Sequence, residues 1–443
     1  MPEAFWCRIV KEDGIFMDTG PTLPEPTPGT DDWRGYPWKS VVWTLVALAI
    51  ALRLFHFLRN PPVWCDELWL LRNITGMGFV EQLGPLKDVQ AAPPLFLWVE
   101  RLVWLGFGDN IYMLRLLPLL ASCGTILLLL YLGCHWFRAA ALPWAVLLLG
   151  CSHQMMSYTF EVKPYMLDCL IAVAIPALFI STNCWRLEWR LLFFGLLAPV
   201  VIFVSYPGCF VYGALLVALL FPLWDGRRQW QAWLGYGLLV LITFTAFALL
   251  VTGPIRAQRT GALDACWPDH PDLRYPWTVP LWSLTTFFRF LEHMWRPTGP
   301  VLILPILIGS ISLWRRQRRM ELVFLALPAA LAMMAAWIGA YPFESRLVLF
   351  AAAPLALLMG EGIVEILHWS QARLNDTKRL VAPFQRAAFK AGIIVLFIVM
   401  LVPLSRTLYY LVVPLPRLTY EVWPETPNAQ QSDLDMTKAL SKN

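Results

Sequence analysis

Residues 41–58 read VVWTLVALAIALRLFHFL, an apolar run that contains a single formally charged side chain, Arg53. A helix of about 20 apolar residues is long enough to cross the hydrocarbon core of a membrane. We therefore predict an all-α polytopic membrane protein of about 11 transmembrane helices. Further apolar runs of this length lie at 112–133, 140–157, 165–182, 190–205, 207–224, 232–253, 299–314, 321–340, 346–367 and 391–413.

The composition of the chain agrees with a membrane environment. Of its 443 residues, 58% are hydrophobic and 15% are charged. Soluble domains are about 45–50% apolar and about 25% charged. The composition excludes an ordinary cytosolic enzyme, a disordered chain and a nucleic-acid-binding protein. The expected environment is a lipid bilayer, with no nucleic acid as a partner.

Three regions follow from this pattern. Residues 1–40 are polar and rich in proline without the charged-then-apolar pattern of a signal peptide, so we expect a disordered cytoplasmic tail. Residues 41–413 form the transmembrane domain. Residues 414–443 form a short tail that we place on the extracytoplasmic side.

The orientation depends on the segment 190–224, which Tyr206-Pro207-Gly208 interrupts. One long kinked helix or two short helices both fit the local sequence. Two helices place every later basic cluster on the cytoplasmic side, as the positive-inside rule requires. We therefore predict two helices, a cytoplasmic N-terminus, and long outer loops at 59–111 and 254–298. The basic clusters are Arg186/Arg190, Arg227-Arg228, Arg315 to Arg319 and Arg373 to Lys390.

Both outer loops contain segments that mix aromatic and apolar residues with few charges. These are PPLFLWVERLVWL at 93–105 and LWSLTTFFRFLEHMW at 281–295. Both are typical of helices that lie in the membrane interface. Such helices either roof a cavity that receives a lipid head group or only cover the helix bundle.

The strongest local pattern is Trp64-Cys65-Asp66-Glu67-Leu68-Trp69, directly after the first apolar run. A carboxylate at a partly desolvated membrane edge has a perturbed pKa and accepts a proton from a hydroxyl nucleophile. In the alternative interpretation, Asp66 caps a helix over 67–74 and Glu67 interacts with its positive end.

Three other motifs mark the predicted outer face. Residues 90–98 (QAAPPLFLW) carry Gln90 and Pro93 before a helix start, and Arg115-Leu116-Leu117-Pro118 opens the second apolar run. Residues 158–168 place Tyr158, Glu161, Lys163, Tyr165 and Asp168 at one membrane edge, where an ion pair between Glu161 and Lys163 is the alternative to a site. Residues 341–346 (YPFESR) bring Tyr341 and Arg346, and Arg346 is alternatively a snorkelling anchor.

The order of these motifs resembles the GT-C superfamily of glycosyltransferases. More narrowly, the chain is similar to the family 39 type, which includes protein mannosyltransferase-like and aminoarabinose transferase-like enzymes. The resemblance covers residues 41–367, and its most specific parts are the Asp66-Glu67 pair and the Glu161–Tyr165 loop. It implies a membrane enzyme that moves a sugar from a polyprenyl-phosphate-linked donor to a lipid, glycan or protein acceptor outside the cell membrane.

The resemblance also implies roles for individual residues. Asp66 would be the catalytic base, Glu67 would orient or stabilise it, and Glu161 would be a second acidic residue of the site. Lys163, Tyr165 and Arg346 would bind the donor phosphate. The remaining residues of these motifs would line the cavity: Trp64, Trp69, Gln90, Pro93, Tyr158, Asp168 and Tyr341.

The chain departs from the family at one motif, and its histidines and cysteines bear on metal binding and disulfide formation. The aminoarabinose-type relatives have Glu-Lys before the Pro pair, where this chain has Ala91-Ala92. The departure therefore argues against a divalent-cation site at that position, and phosphate binding must come from other residues. A divalent cation stays open as a cofactor without assigned ligands, because His153, His270 and His293 lack ligand spacing. Cys65 and Cys266 could form a disulfide if both face an oxidising compartment.

Two other functions remain open. A lipid flippase or transporter would place ionisable residues near the middle of the membrane, whereas most charges here lie toward the ends of the apolar runs. A catalytically inactive assembly factor with the same fold is the second alternative, and the missing Glu-Lys keeps it open.

Overall fold

A computed structural model describes residues 38–225, 230–266, 270–275, 277–375 and 383–413. Within these ranges the protein consists of helices and connecting loops and has no strand, as the composition predicts. Most of the predicted tails, residues 1–37 and 414–443, lie outside the described residues.

The helices follow the apolar runs, and short helices lie between them. The α-helices are α1 (Trp38–Leu58), α2 (Cys65–Gly76), α3 (Pro94–Phe107), α4 (Ile111–Leu114), α5 (Leu116–Trp136), α6 (Leu142–Gly150), α7 (His153–Ser157), α8 (Tyr165–Ser181), α9 (Leu187–Val204), α10 (Gly208–Asp225), α11 (Trp230–Leu250), α12 (Arg256–Gln258), α13 (Gly261–Cys266), α14 (Thr278–Met294), α15 (Ile303–Arg315), α16 (Arg319–Trp337), α17 (Ala352–Asn375), α18 (Pro383–Leu401) and α19 (Pro403–Val412). Short 3₁₀ helices span Glu81–Leu83, Ala139–Ala141, Tyr158–Phe160, Gly299–Leu302 and Ser345–Ala351, and Val251–Ile255 is a π-helix.

Seven helices in the described part of the chain are long and apolar enough to cross a membrane, or up to nine if each of two bent pairs counts as one span. The first bent pair, Ala139–Gly150 with His153–Phe160, turns by 56°, so the predicted span 140–157 is broken. The second pair, Thr278–Met294 with Gly299–Arg315, turns by 112°. The shorter apolar helices α8 and α10 match two further predicted runs. The number eleven stays a prediction.

The segment after residue 186 contains two helices. α9 ends at Val204 and α10 begins at Gly208, so Ser205-Tyr206-Pro207 separates them. A methyl group on Gly208 would lie 3.0 Å from the carbonyl oxygen of Val201, which is why this close turn uses glycine. The prediction of two helices in this segment is therefore confirmed, and the orientation derived from it stays a prediction.

The centre of the bundle is the helical stretch Ser345–Arg373, of which the most apolar window is 94% buried. It packs directly against α15 through two glycines. A methyl group on Gly309 or Gly362 would overlap the carbonyl oxygen of Leu358 or Pro305, respectively. This close packing fixes the long central stretch, and with it the position of Arg346 near its first residue.

The far end of the central stretch carries a buried ion cluster. Glu361 is fully buried, and its Oε1 lies 3.1 Å from Arg138 Nη2 and 3.2 Å from Arg316 Nη1. Ser312 donates a hydrogen bond to the same oxygen at 3.2 Å. The loops that carry Arg138 and Arg316 therefore meet at the end of the bundle opposite Arg346.

Candidate active site

Asp66 lies in the first turn of α2, and only 6% of it is exposed. Its Oδ1 accepts hydrogen bonds from Lys163 Nζ at 3.0 Å and from Gln90 Nε2 at 3.1 Å. Its Oδ2 lies 3.1 Å from Arg346 Nη2. The N-cap residue of α2 is Trp64 and the Asp66 side chain caps nothing, so the helix-cap interpretation of Asp66 is wrong.

The adjacent acid, Glu67, forms a different and fully buried pair. Arg115 donates to it twice, from Nε to Oε1 at 2.8 Å and from Nη2 to Oε2 at 2.7 Å. Both side chains are at most 1% exposed. The Glu67 Oε1 also accepts the backbone N–H of Val162 at 3.2 Å. Glu67 therefore fixes the loop that precedes Lys163.

Lys163 reaches Asp66 from the turn between the helix Tyr158–Phe160 and α8. The turn is tight, since the N–H of Lys163 donates to the carbonyl of Glu161 at 2.7 Å. The Lys163 Nζ also donates to Gln90 Oε1 at 2.6 Å, so Gln90 bridges the lysine and the aspartate. The alternative in which Lys163 only pairs with Glu161 is wrong, because its ion pair is with Asp66.

Arg346 comes from the beginning of the central helical stretch. Its guanidinium lies over the rings of Trp64 and Tyr165, with Cζ 5.6 and 5.9 Å from their centroids. A guanidinium so placed is held by cation–π attraction while its Nη2 faces Asp66. Arg346 is therefore part of the cluster around Asp66, and its position relative to the membrane interface stays a prediction.

The two cations decide the protonation of Asp66. Burial raises the pKa of its carboxyl, but the charges of Lys163 and Arg346 outweigh burial and lower the pKa to about 2. Asp66 is thus ionised at neutral pH and is a weak proton acceptor while both cations remain beside it. An anion that drew the cations away would raise this pKa and make Asp66 a stronger base.

The predicted site residues fall into two groups. Trp64, Gln90, Glu161, Lys163, Tyr165 and Arg346 gather around Asp66, with Glu161 close enough to influence the charge of Lys163. Tyr158 packs edge-on against Tyr165 at 5.4 Å and adjoins this cluster.

The other predicted cavity residues bond elsewhere. Asp168 accepts a hydrogen bond from Ser205 at 2.6 Å, and Tyr341 donates one to the carbonyl of Leu347 at 2.6 Å. Pro93 is the N-cap residue of α3, and Trp69 is half-buried on α2. Tyr341 also lies close enough to Tyr165 of the cluster to interact with it electrostatically.

Sequence reasoning assigned no role to three residues that position the site. Arg115 was noted in its motif, and a buried arginine beside a segment that carries acids is commonly paired with a carboxylate, which is a usable signal. Gln258 and Tyr206 hold the 90–93 segment: Gln258 Oε1 accepts from the N–H of Ala92 at 3.1 Å and from the Tyr206 hydroxyl at 2.6 Å. Nothing local in the sequence links those two to Ala92.

The described residues contain no candidate metal site, and the cysteines among them are free thiols. No group of three or more His, Cys, Asp or Glu side chains gathers there in a way that could hold a metal ion. The predicted allowance for a divalent cation stays untested. Cys65 and Cys266 are both exposed free thiols, so the disulfide considered between them is not formed.

Comparison with known proteins gives no close relative. No protein-family profile and no curated protein matches the chain. Its fold is similar to two crystal structures of ArnT from Cupriavidus metallidurans, one bound to undecaprenyl phosphate (15% identity, TM-score 0.45) and one in the apo state (14% identity, TM-score 0.44). Each similarity covers 90% of this chain and 76% of the ArnT chain. Both TM-scores are below 0.5, so the ArnT structures assign no role to any residue of this chain.

Proposed function

We propose that this chain is a membrane glycosyltransferase that moves a sugar from a polyprenyl-phosphate-linked donor to a hydroxyl or phosphate group of a lipid, glycan or protein acceptor. The observation that carries the proposal is a buried carboxylate held between two cations, Asp66 between Lys163 and Arg346. Transfer of a sugar from a phosphate needs both kinds of group. Cations stabilise the leaving phosphate, and a carboxylate accepts the proton of the attacking hydroxyl.

The cations would bind the donor phosphate. Lys163 and Arg346 come from two different elements and meet at one carboxylate, so a phosphate at that point would contact both. Gln90 already donates to Asp66 and accepts from Lys163. It would keep the two residues next to each other as the lysine turns to the phosphate. Fixed cations in a water-poor site stabilise developing negative charge more than they would in water.

The proposed reaction is a single displacement at the anomeric carbon. The acceptor oxygen forms a bond to that carbon, the bond from the carbon to the phosphate oxygen breaks, and its electron pair leaves with polyprenyl phosphate. The acceptor's hydroxyl proton moves to Asp66. Phosphate binding would withdraw Lys163 and Arg346 from Asp66, so its basicity would rise when the donor is present. Inversion of the anomeric carbon follows from the family resemblance.

The proposed location is the inner cell membrane, with the N-terminus in the cytoplasm and the site on the extracytoplasmic side. Its support is the positive-inside rule. The loops with Arg138 and Arg316 meet at the end of the bundle away from Asp66, which agrees with cytoplasmic basic loops.

The alternatives make different use of the cluster. A transporter would bind and release its substrate unchanged, and an inactive assembly factor would use the cluster only for stability. Both leave a labelled sugar on its original lipid. Turnover therefore separates the proposed enzyme from both.

The experiment is a transfer assay on the purified full chain in nanodiscs. A panel of polyprenyl phosphates with radiolabelled glucose, mannose, galactose or arabinose is incubated with a membrane extract, and labelled products are separated into lipid, glycan and protein fractions. We expect one donor to label one fraction in a protein-dependent manner. No transfer from any donor, with the folded protein intact, would reject the proposal.

A further inference from the structure

A cavity of about 210 Å³ lies between α14 and the turn that precedes Arg346. One wall comes from α14 and the residues just after it, and the other from residues 342–345. The turn is continuous with the Asp66 cluster, because Ser345 lines the cavity and the next residue contacts Asp66. Pockets for drug-sized ligands have volumes of about 300–1,000 Å³, so this smaller cavity suits one ring rather than a lipid chain.

The lining of the cavity combines two phenylalanines with polar and charged residues. Phe290 and Phe343 are almost fully buried and meet edge to face, with centroids 6.1 Å apart, so they present an apolar surface. The hydroxyl of Thr286, at a position that is 5% exposed, has no hydrogen-bond partner among the described residues. A buried hydroxyl without a partner is unfavourable, and a ligand with hydroxyl groups would satisfy it.

The charges around the cavity cancel. Arg289 and Arg296 line it together with Glu292 and Glu344, and Arg296 Nε lies 3.9 Å from Glu292 Oε1. Two positive and two negative side chains favour a neutral ligand over a phosphate or another anion. They also supply hydrogen-bond donors and acceptors on several sides.

From these features we propose that the cavity is the binding site for one neutral sugar ring. A sugar ring has an apolar C–H face that suits Phe290 and Phe343, and peripheral hydroxyls that suit Thr286 and the charged side chains. The inference rests on the proposed function and deepens it, because the ring belongs either to the donor or to a glycan acceptor. His293 links this cavity to the cluster: its Nε2 lies 3.4 Å from the hydroxyl of Tyr158, whose ring contacts Tyr165.

The test is saturation-transfer-difference NMR on the full chain in nanodiscs, with the methyl glycosides of glucose, mannose, galactose and arabinose as probes. We expect at least one glycoside to bind the wild type. Thr286→Val keeps the shape and removes the hydroxyl, so it should weaken that binding about 3- to 10-fold. Thr285→Val is the matched control, since Thr285 is exposed and its hydroxyl donates to the carbonyl of Trp282. Glu292→Gln, at a half-buried position, is a second variant that should also weaken binding.

Displacement identifies the source of the sugar. If the ring belongs to the donor, polyprenyl phosphate that carries the same sugar displaces the glycoside and bare polyprenyl phosphate does not. If it belongs to the acceptor, the glycoside stays bound with either lipid present. The inference is overturned if no glycoside binds, if Thr286→Val and Thr285→Val bind equally well, or if inorganic phosphate displaces the glycoside. Binding needs no turnover, so transfer without glycoside binding rejects only the cavity, and glycoside binding without transfer rejects only the proposed enzyme activity.

Discussion

The ammonium nitrogen of Lys163 lies 3.0 Å from Oδ1 of Asp66, although 97 residues separate the two in the chain. Arg346 approaches the other carboxylate oxygen to 3.1 Å. In the proposed reaction the same two cations serve the aspartate before the donor arrives and the phosphate afterwards. Aspartate and donor phosphate therefore compete for the same two cations.

Removing either cation should impair use of the donor more than use of the acceptor. For Lys163→Met and Arg346→Gln we expect the KM for the donor to rise roughly 10- to 100-fold, since a hydrogen bond to a charged group contributes about 1.5–3 kcal/mol. Lys87→Met is the control, because Lys87 has an exposed side chain and lies in loop 59–111, three residues before Gln90. Steady-state kinetics with each substrate varied in turn measures the effect. A rise confined to the KM of the acceptor would contradict the phosphate-binding role.

The pH dependence should differ between free enzyme and donor complex. In the free enzyme the pKa of Asp66 is about 2, so kcat/KM for the donor should stay constant down to about pH 4. In the complex the phosphate occupies the cations, the pKa of Asp66 rises, and kcat should fall on the acid side at a higher pH. Profiles of both parameters between about pH 4 and 8 test this. The donor does not free Asp66 from the two cations if kcat and kcat/KM fall at the same acid pH, or if kcat falls at the lower pH of the two.

The Glu67–Arg115 pair should matter for stability. Glu67→Gln leaves a buried guanidinium without its counter-charge, which costs about 3–5 kcal/mol. Thermal unfolding in detergent, followed by fluorescence-detected size exclusion, measures the loss. The matched control is Asp264→Asn. Asp264 Oδ1 also lies 2.8 Å from its partner, Arg259 Nε, but the two side chains are 51% and 49% exposed. Such exposed pairs contribute about 0–1 kcal/mol, so equal losses in the two variants would show that Glu67 is not a buried anchor.

Two exposed thiols test the proposed orientation. Cys65 adjoins Asp66, and Cys184 follows α8 in a loop that we assign to the cytoplasm. In single-cysteine variants, a membrane-impermeant maleimide should label Cys65 in intact cells and Cys184 only after permeabilisation. The reverse pattern would place the Asp66 cluster on the cytoplasmic side and refute an extracytoplasmic site.

Local patterns in the sequence predicted much of the fold. Apolar runs marked the long helices because the length of a membrane-crossing helix is fixed by the bilayer. The turn at Tyr206-Pro207-Gly208 marked two helices because proline and glycine interrupt helical geometry. The break near Cys151 was missed, because it is marked only by the single glycine Gly150, without a proline, inside an apolar run.

The site was predictable in its members but less so in its pairings. The resemblance to GT-C enzymes named Asp66, Lys163 and Arg346 as site residues, and their positions near the ends of predicted spans agreed with it. Which carboxylate each cation selects depends on the packing of distant helices. The sequence left a local Glu161–Lys163 pair open as an alternative, whereas Lys163 contacts Asp66 and Arg115 contacts Glu67. Contacts between residues so far apart leave no periodic trace in a single sequence.

The decisive measurement is the rate of sugar transfer by Asp66→Asn in nanodiscs. The amide keeps the size of the side chain but cannot accept the proton, so transfer should fall at least about 100-fold while the variant remains folded. Asp109→Asn, an exposed aspartate at a helix end, should transfer at the wild-type rate. Transfer by Asp66→Asn at the wild-type rate would show that another group acts as the base.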